Sequence, residues 1–347
     1  MKDILIRQIG AVGRITLNRP DVLNAATYQM CLEIEDAFDL WREDASVSAI
    51  VIDAAGDRAF CAGGDIAQLY EKSRAGDFEY GRNFWADEYR MNYKIFNYPK
   101  PVVSFMQGFT MGGGVGIGCH GTHRIVGESS KIAMPECGIG LIPDVGGSLM
   151  LALAPGRLGE YLGTTGYRMN AADAIYAGFA DMFIPQDRWP EAIAALETGA
   201  AVDTLQDLSV DAGPAELEAQ QNTIDAFFGG DRLDDILTLL KQEDSAFTQK
   251  TLKAFSRNSP LSMAATVEVL HRLRGPSITL NKALELEYRF TSRAAEQGEL
   301  LEGIRATIIE KDGKPDWQFA DGHVPLVAVA KMLMPLGKNT LKLEETA

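Results

Sequence analysis

The segment AMPECGIGLIPDVGG, residues 133–147, sets two carboxylates, Glu136 and Asp144, eight positions apart in a run that is otherwise apolar or glycine. Such a pair can activate a water, attack a carbonyl carbon directly or hold a substrate group. Each residue also has a plainer use. Glu136 follows Pro135 and could stabilise a turn, and Asp144 follows Pro143 and could cap a helix beginning near Gly146.

Upstream, MGGGVGIGCHG contains a formal GxGxxG, Gly116, Gly118 and Gly121, after a strand-like run. A dinucleotide site needs its first glycine at the strand end and a helix opening through the third. Here about ten residues intervene and the chain returns to strand at THRIVG, so the helix is placed earlier, near Gly112. Consecutive glycines at a helix start leave N–H groups unpaired and open to an oxygen that carries developing negative charge. The loop AFCAGGD, residues 59–65, has the same character through Ala62, Gly63 and Gly64. Close packing is the competing use of both clusters.

Other chemistry is thin. His120 and His123 form HxxH with no third ligand in a zinc pattern, and they read as packing or surface residues. No G-x-S-x-G elbow is present. Cys31, Cys61, Cys119 and Cys137 form no CxxC and are expected to be reduced, with the protein in the cytoplasm.

The elements that must position these groups alternate. Ile4 to Ile9 and Val12 to Leu17 read as strands around Gly10, and Thr27 caps a helix whose apolar positions include Cys31, Ile34, Phe38 and Trp41. SAIVID, PVVSFMQ, THRIVG and SSKIAM are further strands, and strands interleaved with helices give an α/β class. From about Gln186 the composition turns polar and helical. Residues 1–186 are therefore expected as the core, 187–250 as a polar helical linker or insert, and 251–347 as a C-terminal helical subdomain.

With 347 residues and 46% hydrophobic content, the chain can bury a sizeable core. Its net charge of −15, from 33 basic and 48 acidic residues, argues against nucleic acid or a membrane surface as partner. The N-terminal MKDILIRQIG has no signal-peptide pattern, and no run of eighteen apolar residues occurs.

Five blocks in order, LNRPDVLNA (17–25), AFCAGGDI (59–66), KPVVSFMQGFTMGGGVG (100–116), MPECGIGLIPDVGG (134–147) and TGYRMNAADAIYAGFAD (165–181), resemble the crotonase (enoyl-CoA hydratase/isomerase) superfamily. That resemblance implies a spiral of repeated β-β-α units. It also implies an acyl-CoA substrate whose thioester oxygen is held by the N–H groups of Gly64 and Gly113. Asn24, Ala25, Gly63, Asp65, Glu88 and Gly112 are the implied substrate contacts, with Arg19, Arg58 and Lys311 as candidate cations for the CoA phosphates. A homo-oligomer is implied too, trimers being common in the superfamily.

Family hydratases carry a glutamate three residues after the middle glycine of the GGG block and a second in the later P-E dipeptide. This chain has Gly116 at the first place and Glu136 at the second. The pair Glu136 and Asp144 resembles the 3-hydroxyisobutyryl-CoA hydrolase branch, as do FWADEYRMNYKIFNYPKP (84–101), LELEYRFTSRA (284–294) and EGIRATIIEKDGKPDW (302–317). The resemblance implies thioester hydrolysis without metal or redox cofactor, Glu136 acting as nucleophile or general base and Asp144 positioning water or the 3-hydroxyl. Enoyl-CoA isomerisation, which needs one carboxylate, and hydration are the alternatives.

Overall fold

Apolar alternation on either side of Gly10 produces the first hairpin. Ile4–Ile9 pairs antiparallel with Val12–Leu17, and Gly10 turns at φ +54°, a left-handed conformation that costs glycine little. The structure, a computed structural model, describes residues 2–343; residue 1 and residues 344–347, the end of the expected C-terminal subdomain, lie outside the described residues. Two compact units emerge: Met1–Gly64, Arg90–Ala133 and Arg168–Glu218 form the first, and Asp65–Tyr89, Met134–Tyr167 and Ala219–Ala347 form the second.

The first unit contains the strands. After the hairpin, Ala49–Ala54, Val102–Met106, His123–Val126 and Met182–Phe183 extend a six-stranded sheet. Between them Ala59–Cys61, Phe109–Met111 and Lys131–Ala133 build a three-stranded sheet. Beyond the hairpin the strand pairings are parallel. A chain that lays one strand in each sheet per circuit and returns through helix traces the expected β-β-α spiral.

Parallel strands covered on both faces need near-continuous apolar sequence, and all of Val102–Met106 is buried. Val51, Val103, Phe105 and Ile125 share a core cluster with Trp189, Ile193 and Leu196 of the helix Trp189–Glu197. Burying each of the larger side chains contributes roughly 1.5–3 kcal/mol. The helix Tyr28–Arg42 starts where expected, the Thr27 hydroxyl accepting the Met30 N–H at 3.2 Å, and it buries Cys31, Ile34, Phe38 and Trp41.

The second unit is helical. Pro260–Leu273 is buried along most of its length, and Leu280–Gln297 buries Leu280, Leu284, Glu287, Phe290, Thr291 and Ala294. A glutamate on a buried stripe is unusual and needs partners. The helix Phe78–Phe96 starts in this unit and ends in the first.

The cuts expected at residues 186 and 250 follow chain order, whereas compactness groups segments that are far apart in sequence. Asp65–Tyr89 and Met134–Tyr167 leave the spiral and belong with the C-terminal helices. Residues 187–250 hold the helices Trp189–Glu197, Glu216–Phe228 and Leu233–Gln242, with Leu217, Ile224, Phe228, Leu233, Ile236 and Leu240 buried.

Candidate active site

In the first unit, parallel pairing aligns the two glycine loops. Cys61 lies opposite Thr110, so Gly64 and Gly113, each three residues further on, leave the same end of adjacent strands. The loops touch, because a Cβ on Gly114 would stand 2.2 Å from the Cys61 carbonyl oxygen. Gly63 at φ +117° and Gly112 at φ +51° make the turns. Gly113 is the first residue of the helix Gly113–Gly118, where an N–H has no intrahelical acceptor. Among the described residues, neither the Gly113 nor the Gly64 N–H donates to a backbone carbonyl. Both donors remain available to an oxygen.

The GxGxxG glycines serve packing. Gly116 and Gly118 lie inside that helix, a Cβ on Gly118 would meet Met106 Sδ and Phe60 Cε1 at 2.8 Å, and one on Gly121 would meet the Val102 carbonyl at 2.8 Å. Position 116 therefore offers a buried backbone and no acid.

Asn24 is held inside its loop. Its Oδ1 accepts the Arg19 N–H at 2.7 Å and its Nδ2 donates to the carbonyls of Ala55 and Ala59 at 2.9 Å, so its side chain shapes the loop from within. Arg19 binds the Ala25 carbonyl and Asp3. Arg58 and Lys311 are exposed, and Asp65 is half-buried. His120 packs edge-on against Phe96 with ring centroids 5.9 Å apart, and His123 meets the Thr122 hydroxyl at 2.9 Å. All four cysteines are buried thiols.

The second unit gathers carboxyl groups. Glu88, Glu136, Asp144 and Glu287 are 3%, 5%, 4% and 0% exposed. Burial pushes Asp144 up to about 7, against hydrogen bonds from Tyr89 and from its own N–H, and pushes Glu287 up to about 8. Glu136 and Glu88 are raised well above the usual carboxylate range by burial first and then by the charge of Asp144. Like charges in an apolar setting titrate as a set, and that places acid and base forms near neutral pH.

Two helices support Asp144. Tyr89 in Phe78–Phe96 donates its hydroxyl to Asp144 Oδ2 at 2.8 Å, and Thr291 Oγ1 is 3.3 Å from the same hydroxyl. Glu287 Oε2 accepts the Gly146 N–H at 2.8 Å, and its Oε1 accepts the Ser148 N–H at 3.1 Å and the Ser148 hydroxyl. The cap of the helix Gly147–Leu153 is thus not Asp144: Gly146 is the N-cap residue, without a side-chain bond of its own, and the acceptor arrives from Glu287. Glu136 opens the turn Glu136–Ile139, but its Oε2 is buried without a hydrogen-bond partner. A carboxyl oxygen left bare in burial is costly as mere turn support and suits a reactive group. Glu88, which sequence alone could place on a solvated face, is buried under the charge of Asp144.

The chain matches the enoyl-CoA hydratase/isomerase family over residues 12–332. It belongs to that family. Among its relatives, the 3-hydroxyisobutyryl-CoA hydrolase, mitochondrial, of Gallus gallus is 35% identical over 353 residues, 98% of this chain and 91% of the relative. An enoyl-CoA hydratase from Rhodobacter sphaeroides 2.4.1 is 52% identical with a TM-score of 0.94, covering 98% of this chain and 100% of that one. A carnitinyl-CoA dehydratase from Mycobacterium thermoresistibile is 37% identical with a TM-score of 0.93, covering 99% of each chain. The crotonase-like spiral is therefore the family fold.

For this family member the sequence marked Glu136, Asp144 and Glu88, and the structure brings all three into one buried carboxyl cluster. Sequence reasoning gave no role to Tyr89, Ser148, Glu287 or Thr291. Their one signal was position: Tyr89 lies in 84–101 and Glu287 and Thr291 in 284–294, segments with a resemblance to the hydrolase branch. Among the described residues no group of three or more His, Cys, Asp or Glu side chains is arranged to hold a metal ion, and no helix is long and apolar enough to cross a membrane.

Proposed function

We propose that this chain hydrolyses the thioester of 3-hydroxyisobutyryl-CoA to the free acid and CoA. The observation that carries the reading is the buried pair Glu136 and Asp144, both raised above the usual carboxylate range by burial, in a chain with no carboxylate at position 116. The relative from Gallus gallus, alike over nearly its whole length, supports the same substrate. In this reading the N–H groups of Gly64 and Gly113 take the thioester oxygen, Glu136 acts on the carbonyl carbon as nucleophile or as general base to a water, and Asp144 positions the water or the 3-hydroxyl. Ala25, Gly63, Asp65 and Gly112 belong to the loops that line the acyl-CoA, and Glu88 tunes the carboxylates. Hydrolysis so organised needs no metal or redox group. A reducing compartment, the cytoplasm, suits the buried thiols.

Hydration of an enoyl-CoA is the second reading, favoured by the 52% identical hydratase from Rhodobacter sphaeroides 2.4.1. Adding water across a double bond asks for one group to activate water and another to manage the α-carbon proton. The experiment supplies purified protein with 3-hydroxyisobutyryl-CoA and follows free thiol, then with crotonyl-CoA and follows the enoyl absorbance. Thiol release without loss of absorbance is expected. Brisk hydration without thiol release would transfer the chain to the second reading.

A further inference from the structure

A hollow of about 400 Å³ lies in the first unit, and no residue that lines it has been assigned to the acyl-CoA. It sits where Ala49–Ala54 and Val102–Met106 end, with Asp53 next to last in the one strand and Gln107 directly after the other. Ligands of parallel sheets gather at the carboxyl ends of strands, and small-molecule pockets begin at roughly 300 Å³. Phe105, Trp189 and Ile193 give the hollow an apolar wall, the two rings having centroids 5.4 Å apart. The Trp189 indole N–H donates to the Ile184 carbonyl at 2.8 Å, so the indole offers a ligand only its apolar surface.

The remaining wall is polar and negative. Three carboxylates, Asp53, Asp57 and Glu197, share it with one guanidinium, Arg14. Arg14 is committed within the protein, its Nε and Nη2 donating to Asp53 Oδ2 at 3.1 and 2.6 Å and its Nη1 to Glu197 Oε1 at 2.8 Å. The excess negative charge repels an anion and attracts a cation. Gln107, 6% exposed, adds a fixed acceptor. Its Nε2 donates to the carbonyls of Ala54 and Gly56, each at 2.9 Å. Only the amide nitrogen can donate to two carbonyls, so the position of Oε1 follows. Among the described residues no donor reaches Gln107 Oε1 or Glu197 Oε2. An acceptor on so buried a side chain calls for a donor.

We propose that this hollow binds a small organic amine in its protonated form. The N–H groups of the ammonium end meet Gln107 Oε1 in the field of Asp53, Asp57 and Glu197, and the apolar body lies against Trp189, Phe105 and Ile193. The aromatic rings favour the cation as well. The site takes a ligand of charge opposite to the CoA phosphates, which separates it from the acyl-CoA site by chemistry.

The test is calorimetric titration of the full chain with 2-phenylethylamine at neutral pH, and with phenylacetate, which has a like ring and the opposite charge. The amine is expected to bind with a Kd of about 1 mM or below, in the range open to a ligand of so few atoms, and phenylacetate to give no heat of binding. Gln107→Leu removes the acceptor and should weaken the amine about tenfold. Because Gln107 also ties down the strand end, two variants on the helix Trp189–Glu197 carry the test without touching that bond. Glu197→Gln removes one charge and should weaken binding about threefold. Ala194→Trp, at an exposed position lining the hollow, should fill it and abolish binding. No binding to the wild type, equal binding of phenylacetate, or undiminished binding in Ala194→Trp would overturn the site. Binding lost in Ala194→Trp but unchanged in both Gln107→Leu and Glu197→Gln would overturn the amine as its ligand. The titration contains no acyl-CoA, so its outcome is independent of the hydrolase reading.

Discussion

Glu287 accepts the backbone N–H of Gly146 at 2.8 Å and so ties the middle of the helix Leu280–Gln297 to the turn that carries Asp144. That turn is strained at Val145, a β-branched residue at φ +52°, a conformation that costs on the order of 1–3 kcal/mol. The strain persists because Glu287 also takes the Ser148 N–H and hydroxyl.

Glu287→Ala should therefore cost more than a lost contact. It strands two buried N–H groups and a hydroxyl, each worth about 1–3 kcal/mol when left bare. Urea unfolding is expected to show a loss of about 3 kcal/mol or more, with turnover falling further because Asp144 moves with the turn. A variant as stable as the wild type would mean that the turn holds itself.

Stability should fall as pH rises toward 8. Burial holds Asp144 at about 7 against an ordinary 3.8 and Glu287 at about 8 against 4.5. Unfolded, these groups release protons from about pH 4 upward; folded, they retain them until about pH 7 to 8. The folded state thus binds more protons across that window, so their contribution is complete below about pH 4 and is lost as pH climbs through the folded values. Glu88 is shifted in the same direction. Glu88→Gln deletes one such titration and should flatten the decline, leaving the variant more stable relative to the wild type near pH 8 than near pH 5. Denaturant titrations near pH 5 and pH 8 compare the two, and a steeper decline in the variant would count against the assignment.

Gly113→Pro removes one of the two N–H groups assigned to the thioester oxygen, and proline is tolerated at the first position of a helix. Thiol release should drop about a hundredfold to a thousandfold, as when an oxyanion donor is lost elsewhere, with circular dichroism unchanged. Full turnover in a folded variant would take Gly113 out of that role.

Local sequence was enough for features governed by near neighbours. The turn at Gly10, the Thr27 cap, the apolar strands and the glycine loops follow from backbone freedom, capping and the alternation of side chains over a few residues. Glu136 and Asp144 stood out because a carboxylate in a short apolar run is anomalous in itself. Other judgements needed the folded chain. The Asp144 side chain reads as a helix cap in one dimension, yet the cap is supplied by Glu287, 141 residues from Gly146 and 139 from Ser148 in sequence. Tyr89, 55 residues from Asp144, decides where that carboxyl finds its donor. Compactness likewise joins Asp65–Tyr89 and Met134–Tyr167 with the C-terminal helices. Composition and spacing determine which groups are available for chemistry, because these depend on the residues themselves. Which carboxyl carries the charge depends on burial and on donors brought from distant segments, and only the tertiary structure sets those.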